Sequence, residues 1–288
     1  MSLAERVVAF PAADGYVLAG SVFEPEGPLT LTPVVILSAT GVKRRFYADF
    51  ASFLATQGFP VLTLDYRGIG GSRRGSLRSL TSRMQDWAEL DAAAGLDAAT
   101  AHWYSDHVLV VGHSFGGQAL GLLPRPERIR GALLVGAQSG YWGHWPAATR
   151  VGMCLFWYLA IPVLTRLVGY FPSRFFGMGE DLPPGVARQW ASWGRRPRYL
   201  LDGIPDAAAR FAQVTAKIRS VSISDDRFAP KAAVDALAAF YTGSPVQRVH
   251  LTPRGLGASR VGHFGFFREP LLKPAWNDAA HFLLSVCS

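Results

Sequence analysis

Two hydrophobic rhythms run along the chain, and one long interruption separates them. Near the start, residues 6–10 and 16–23 alternate apolar and polar positions on either side of Ala13-Asp14-Gly15. A period of two across a turn signal predicts a β-hairpin. The rhythm then changes to short runs that are apolar throughout: Val34-Val35-Ile36-Leu37, Val61-Leu62-Thr63-Leu64, 107–111 and 131–135. Between them lie stretches of helical period at 47–56, closed by Gly58, at 82–98, and at 116–123, stopped by Pro124. Strands without a polar face that alternate with helices predict a mostly parallel sheet covered on both sides, an α/β architecture.

From Gln138 to Phe211 the alternation stops. This stretch is rich in proline and holds five of the eight tryptophans, Trp142, Trp145, Trp157, Trp190 and Trp193. The rhythm resumes with a strand at 218–224, a helix at 230–241, a strand at 246–251 and a last helix at 271–286. The expected organisation is therefore a core of residues 1–137 and 212–288 interrupted by a mainly helical cap, 138–211. There are no internal repeats and no low-complexity tracts.

Composition narrows the picture modestly. A chain of 288 residues, 49% hydrophobic and 17% charged, fits one large globular domain with an inserted lobe. The apolar run Val151 to Leu164 is bracketed by Arg150 and Arg166 and interrupted by Pro162, and it is short of the ~20 residues of a membrane span, so it is expected to be a buried or lid helix. Met1-Ser2-Leu3-Ala4-Glu5-Arg6 has no apolar core of a secretory signal, and the protein is expected in the cytoplasm. Cys154 and Cys287 form neither a disulfide framework nor a metal knuckle. The net charge of +8 comes mostly from scattered arginines, and no nucleic-acid motif accompanies it. A basic surface without a nucleic-acid partner is expected, while contact with an anionic membrane stays open. The sequence does not specify an oligomeric state.

The strongest chemical signal is Gly112-His113-Ser114-Phe115-Gly116, a G-x-S-x-G that follows a buried strand and opens a helix. In that setting the serine sits on a strained turn, glycines let strand and helix approach, and the first helix amides face the site. Phe115 N–H is one expected oxyanion donor. The second should come from the loop after the first parallel strand, Ser38-Ala39-Thr40-Gly41-Val42, where Val42 N–H is nominated.

A serine hydroxyl needs a base, and the base needs an orienting acid. His263 lies in the loop before the last helix, whereas His250 sits within a strand, His281 within the final helix and His102 and His107 before the elbow. His113 is part of the elbow and should point into the scaffold. Asp225 and Asp226 both follow the strand at 218–224, at the sheet edge where open α/β sheets carry their sites. The other edge position, Gly136-Ala137-Gln138-Ser139, offers no carboxylate. In Asp65-Tyr66-Arg67-Gly68-Ile69-Gly70, Asp65 and Arg67 are expected to hold the loop through a bond to one another.

With these residues placed, the chain resembles the α/β-hydrolase superfamily along nearly its full length, and within it bacterial hydrolases of the serine aminopeptidase or lysophospholipase-like type. The likeness rests on Ala39-Thr40-Gly41-Val42 with Arg45-Phe46-Tyr47, Asp65 to Gly70, Gly112 to Gly117, Ser224-Asp225-Asp226, and Gly262-His263-Phe264-Gly265-Phe266-Phe267. Ala39-Thr40 stands where a His-Gly pair is usual. The resemblance implies the α/β-hydrolase fold, a triad of Ser114, Asp226 and His263, and esterase-like acyl chemistry on a small-molecule substrate with no cofactor and no metal. Asp226 is favoured over Asp225 by the family's G-x-x-D-x-x-x-P pattern, here with Ile223 in place of the glycine. The cap aromatics Tyr141, Trp142, Trp145, Phe156, Trp157, Tyr158, Trp190 and Trp193 suggest an apolar acyl or alkyl group. Two other readings share the same residues: an acyltransferase, and a non-catalytic ligand receptor.

Overall fold

Residues 5–27, 29, 31–268 and 272–287 are described by a computed structural model. Residues 1–4, used above against a secretory leader, and Leu271, the expected start of the last helix, lie outside them.

Eight strands form one sheet: β1 (Glu5–Pro11), β2 (Val17–Phe23), β3 (Val34–Leu37), β4 (Val61–Leu64), β5 (Val108–His113), β6 (Ile129–Val135), β7 (Lys217–Ile223) and β8 (Val246–Leu251). Their order is β1-β2-β4-β3-β5-β6-β7-β8. The hairpin β1–β2 and the β2–β4 pair are antiparallel, and every other pair is parallel. The expected hairpin and the expected parallel runs are both present. β3, β4 and β5 are buried at every position, as their lack of a polar face requires.

Helices cover both faces. One core packs α1 (Ala48–Thr56) and the last helix, here α9 (Lys273–Ser285), against the sheet, with Phe50 and Trp276 edge-on at 5.3 Å between ring centroids. The opposite core packs α2, a continuous helix over 84–103 with a π-turn at Trp87–Ala92, and α3 (Phe115–Ala119). The remaining core helices are α7 (Lys231–Ala238) and the short α8 (Gly262–Gly265).

The loop after β4 is held differently from the expectation. Asp65 does not bond Arg67. Its carboxylate takes the Arg44 backbone N–H at 2.7 Å and the Arg44 guanidinium, while Arg67 reaches Asp91 on the π-turn at 2.7 Å and Asp14 of the first hairpin at 2.6 Å. Two residues apart on one loop, the side chains of Asp65 and Arg67 diverge, and each finds an opposite charge from another element. Arg67 and Asp91 are both buried, so this pair ties the hairpin, the β4 loop and α2 into one unit.

Between β6 and β7 the chain leaves the sheet for α4 (Ala147–Val168), α5 (Pro184–Gly194) and α6 (Ala207–Gln213), with one bridge between Phe171 and Leu182. The expected short helix around 151–164 is longer than the sequence indicated. α4 runs 22 residues and is, by length and composition, long and apolar enough to cross a membrane. Pro162 does not break it, because a π-turn at Phe156–Ala160 immediately precedes it. Such a turn shifts the carbonyl that the proline ring would strike and absorbs the missing N–H. Trp157, Ile161 and Thr165 form a buried stripe along one side of the helix.

Candidate active site

The elbow between β5 and α3 carries Ser114 at φ 52° and ψ −112°, a conformation that costs a non-glycine residue about 1–3 kcal/mol. Its neighbours over-determine the turn. Ser114 N–H donates to Val135 O at 3.0 Å, and Gly117 N–H donates to Ser114 O at 3.0 Å. A side chain at Gly116 would place Cβ 2.1 Å from Leu37 O, and one at Gly112 would meet Gly117 N at 2.7 Å. The two glycines of the motif are therefore required by the closeness of strand and helix. The Phe115 ring is buried against Tyr66 and Trp87, while its N–H belongs to the first helical turn, whose amides have no intrahelical acceptor.

The turn after β7 separates the two aspartates that the sequence left in competition. Asp226 Oδ2 lies 2.7 Å from His263 Nδ1, and Oδ1 accepts from Phe228 N–H at 2.8 Å and Ala229 N–H at 2.9 Å. Asp225 points the other way and accepts from Val261 and Gly262 N–H, both at 2.9 Å, fixing the loop that delivers the histidine. A carboxylate on Nδ1 selects the tautomer that carries its proton there and leaves Nε2 free to accept another.

His113 points into the scaffold, as expected, and links two loops of the site. Its Nε2–H donates to His263 O at 3.0 Å, and its Nδ1 accepts from Tyr47 O–H at 2.8 Å. Tyr47 in turn accepts from Ala39 N–H at 2.8 Å. Burial, reinforced by neighbouring His263, pushes the His113 imidazole well below its ordinary pKa and keeps it neutral. The same burial pushes the Tyr47 hydroxyl far up, so it stays a hydrogen-bond donor.

Ser114 and His263 line one small cavity of about 40 Å³ with Ala39, Thr40, Gln138, Met178, Trp190, Phe228 and Phe264. Ser114 Oγ is directed at Gln138 Oε1, 3.3 Å away, rather than at the imidazole. Gln138 belongs to Gly136-Ala137-Gln138-Ser139, the edge position without a carboxylate. Its Nε2 donates to Phe228 O at 3.3 Å, and its backbone carbonyl accepts from Gln118 Nε2, whose Oε1 accepts from Tyr199 O–H at 3.1 Å. The signal that would have found it is its place at the C-terminal end of β6, on the edge of the sheet that carries the rest of the site.

Val42, nominated from the sequence for the second oxyanion donor, has its N–H engaged within its own loop. Its N–H closes a turn onto Ala39 O at 3.1 Å, and Val42 lines a different cavity. The loop turns within Ala39–Val42, so Thr40, two residues earlier, faces the serine instead. Among the described residues no acceptor takes the Thr40 N–H.

Two further cavities adjoin the site. One, about 320 Å³, is apolar and shares Gln138, Met178, Trp190 and Phe228 with the serine cavity, adding Trp145, Met153, Phe156, Trp157 and Phe176. Of the eight aromatics singled out in the sequence, Trp145, Phe156, Trp157 and Trp190 line it; Tyr141, Trp142, Tyr158 and Trp193 do not. The other is larger, about 630 Å³, and more polar, with Lys43, Arg45, Asp49, Glu180 and Arg268 around it. It contains neither Ser114 nor His263 and meets the serine cavity at Phe264. Among the described residues no three His, Cys, Asp or Glu side chains group to hold a metal, and Cys154 and Cys287 are free.

Comparison with known proteins agrees with this architecture. A family model described as serine aminopeptidase, S33, matches residues 32–174, just under half of the chain, a span that contains Ser114 but neither Asp226 nor His263. Among solved structures, the chain is similar to DcsB in complex with its substrate analogue, at 16% identity and a TM-score of 0.67, with 99% of each chain covered. It is also similar to the esterase domain of a Rhodothermus marinus protein, at 15% identity and TM-score 0.66, covering 99% of this chain and 100% of that one. A thermophilic esterase from Thermogutta terrifontis matches at 18% identity and TM-score 0.61, over 98% and 100% of the two chains. No curated protein matches the sequence.

Proposed function

We propose that this chain, which has the α/β-hydrolase fold, is a serine hydrolase cleaving carboxylic esters with an apolar acyl group. The observation that carries this reading is the meeting of three chain segments at one sheet edge: Asp226 bound to His263 Nδ1, and His263 sharing a cavity with Ser114 on a strained elbow.

In this reading Ser114 Oγ rotates from Gln138 toward His263 Nε2 when substrate arrives, a change between staggered rotamers. His263 takes the hydroxyl proton as Oγ attacks the ester carbonyl, and Asp226 stabilises the imidazolium. The amides of Phe115 and Thr40 receive the developing oxyanion, Thr40 taking the part first assigned to Val42. The imidazolium returns its proton to the departing alcohol, leaving an acyl-enzyme on Ser114. Water, deprotonated by the same histidine, then releases the acid.

The two adjoining cavities divide the substrate. The apolar one holds the acyl chain, and its 320 Å³ falls at the low end of small-molecule sites, which favours medium rather than long chains. The polar one lies on the path of the leaving alcohol. The segment 138–211 acts as the cap that closes the acyl side. Turnover of p-nitrophenyl esters of increasing acyl length tests this reading. An optimum at intermediate length is expected, and no turnover of any ester by folded protein would count against it.

A further inference from the structure

We propose that α4 is an interfacial helix that docks this protein on an anionic lipid surface, lying along the membrane with its outer face in the headgroup region. The helix has two opposed apolar sides. Trp157, Ile161 and Thr165 face inward. On the outer side Val151, Leu155, Leu159, Val163 and Leu167 repeat every four residues and remain 67%, 53%, 56%, 41% and 77% exposed. At 1.5 Å per residue the 22-residue helix is about 33 Å long, and the apolar stripe from Val151 to Leu167 covers about 24 Å of it. Phe175, just beyond it, is 83% exposed. So long an apolar stripe in water marks a contact site.

Charge identifies the occupant. Between Glu127 and Glu180 the sequence contains no aspartate or glutamate, while Arg150 and Arg166 lie near the two ends of the helix and are exposed. A basic helix with an aliphatic outer face has the pattern of a segment that binds anionic bilayers in plane. A symmetric second copy laid antiparallel on the stripe would set the arginine at one end against the arginine at the other, with no carboxylate between them. Spanning is disfavoured because the inner side is already packed: Met153, Phe156 and Trp157 line the apolar cavity that shares walls with the Ser114 cavity. One helix thus has lipid on one side and the acyl cavity on the other.

The docking does not depend on the catalytic reading, so it is tested by binding alone, in wild type and in Ser114→Ala. Full-length protein is sedimented with phosphatidylcholine vesicles and with vesicles containing phosphatidylglycerol, at low and high salt. The expected result is binding to the anionic vesicles only. Leu155→Ser/Leu159→Ser/Leu167→Ser, checked as folded by circular dichroism, should lose at least about tenfold in partitioning. Arg150→Gln/Arg166→Gln should lose about fivefold per arginine at low salt and little at high salt. Folded wild type that ignores anionic vesicles, or a leucine variant that binds as wild type does, overturns the proposal. So would a wild-type dimer that the leucine variant turns into a monomer while neither protein binds vesicles; the stripe would then be a self-association face.

Discussion

The turn that carries Asp226 and the helix α4 border the same apolar cavity, through Phe228 on one side and Phe156 and Trp157 on the other, yet they are built in opposite ways. The turn is held by hydrogen bonds. Asp226 has three donors around its carboxylate, Asp225 has two, and the loop they hold is bound again from below by His113. The helix is held mainly by apolar contact on its inner side, joined at its end by Arg78 Nε on Val168 O at 2.9 Å, and it keeps two buried polar atoms, Trp157 Nε1 and Thr165 Oγ1, without partners among the described residues. Hydrogen-bonded loops resist displacement of a few tenths of an ångström, which proton transfer between fixed groups requires. A helix packed by non-directional contacts shifts more readily, which suits a wall that must admit an acyl chain.

The sharpest way to break this contrast is to exchange the two aspartates' roles. Asp226→Asn should lower kcat by about 10³–10⁴-fold, because the histidine loses its tautomer and its counter-charge. Asp225→Ala should act through the loop, costing about 1–3 kcal/mol of stability for amides left without an acceptor, with a smaller loss of kcat. Denaturant melts and ester kinetics on both variants separate the effects. Equal kinetic defects would mean that the two carboxylates are not divided as the hydrogen bonds indicate.

Next in size is the buried pair beneath the site. Asp91→Ala leaves Arg67 buried with only partly exposed Asp14, and should cost about 3–5 kcal/mol in chemical denaturation. A smaller effect is expected from His113. The unfolded chain protonates this imidazole below its ordinary value of 6.5, while the native protein does not. Its contribution is therefore complete above pH 6.5 and declines as pH falls, by about 1.4 kcal/mol per pH unit. Urea midpoints from pH 7.5 to 5.5 should fall more steeply in wild type than in His113→Gln. The mildest change belongs to the softer wall: Trp190→Ala, which enlarges the junction of the two cavities, should move the acyl-length optimum toward longer chains with little effect on short esters.

The sequence made the sheet legible because its central strands β3, β4 and β5 have no polar face, and the elbow legible because only glycine fits at 112 and 116. What it left open depended on turns and on partners far along the chain. Asp225 and Asp226 are equal in sequence and differ only in the direction that one turn gives each side chain. The loop after β3 closes on itself through the Val42 N–H, a turn that the run of residues 38–42 does not announce. Arg67 has Asp65 as its near neighbour in sequence, whereas its partners lie at positions 14 and 91. Pro162 is a helix breaker in sequence, and the π-turn before it lets α4 continue.

The central claim is that Ser114 is a nucleophile activated by His263. Labelling with a fluorophosphonate probe, followed by mass mapping of the modified peptide, tests it most directly. Wild-type protein should carry one label, on Ser114, and lose it in Ser114→Ala and His263→Ala while both variants remain folded. Folded wild type that takes no label, or labelling that survives Ser114→Ala, would contradict the account.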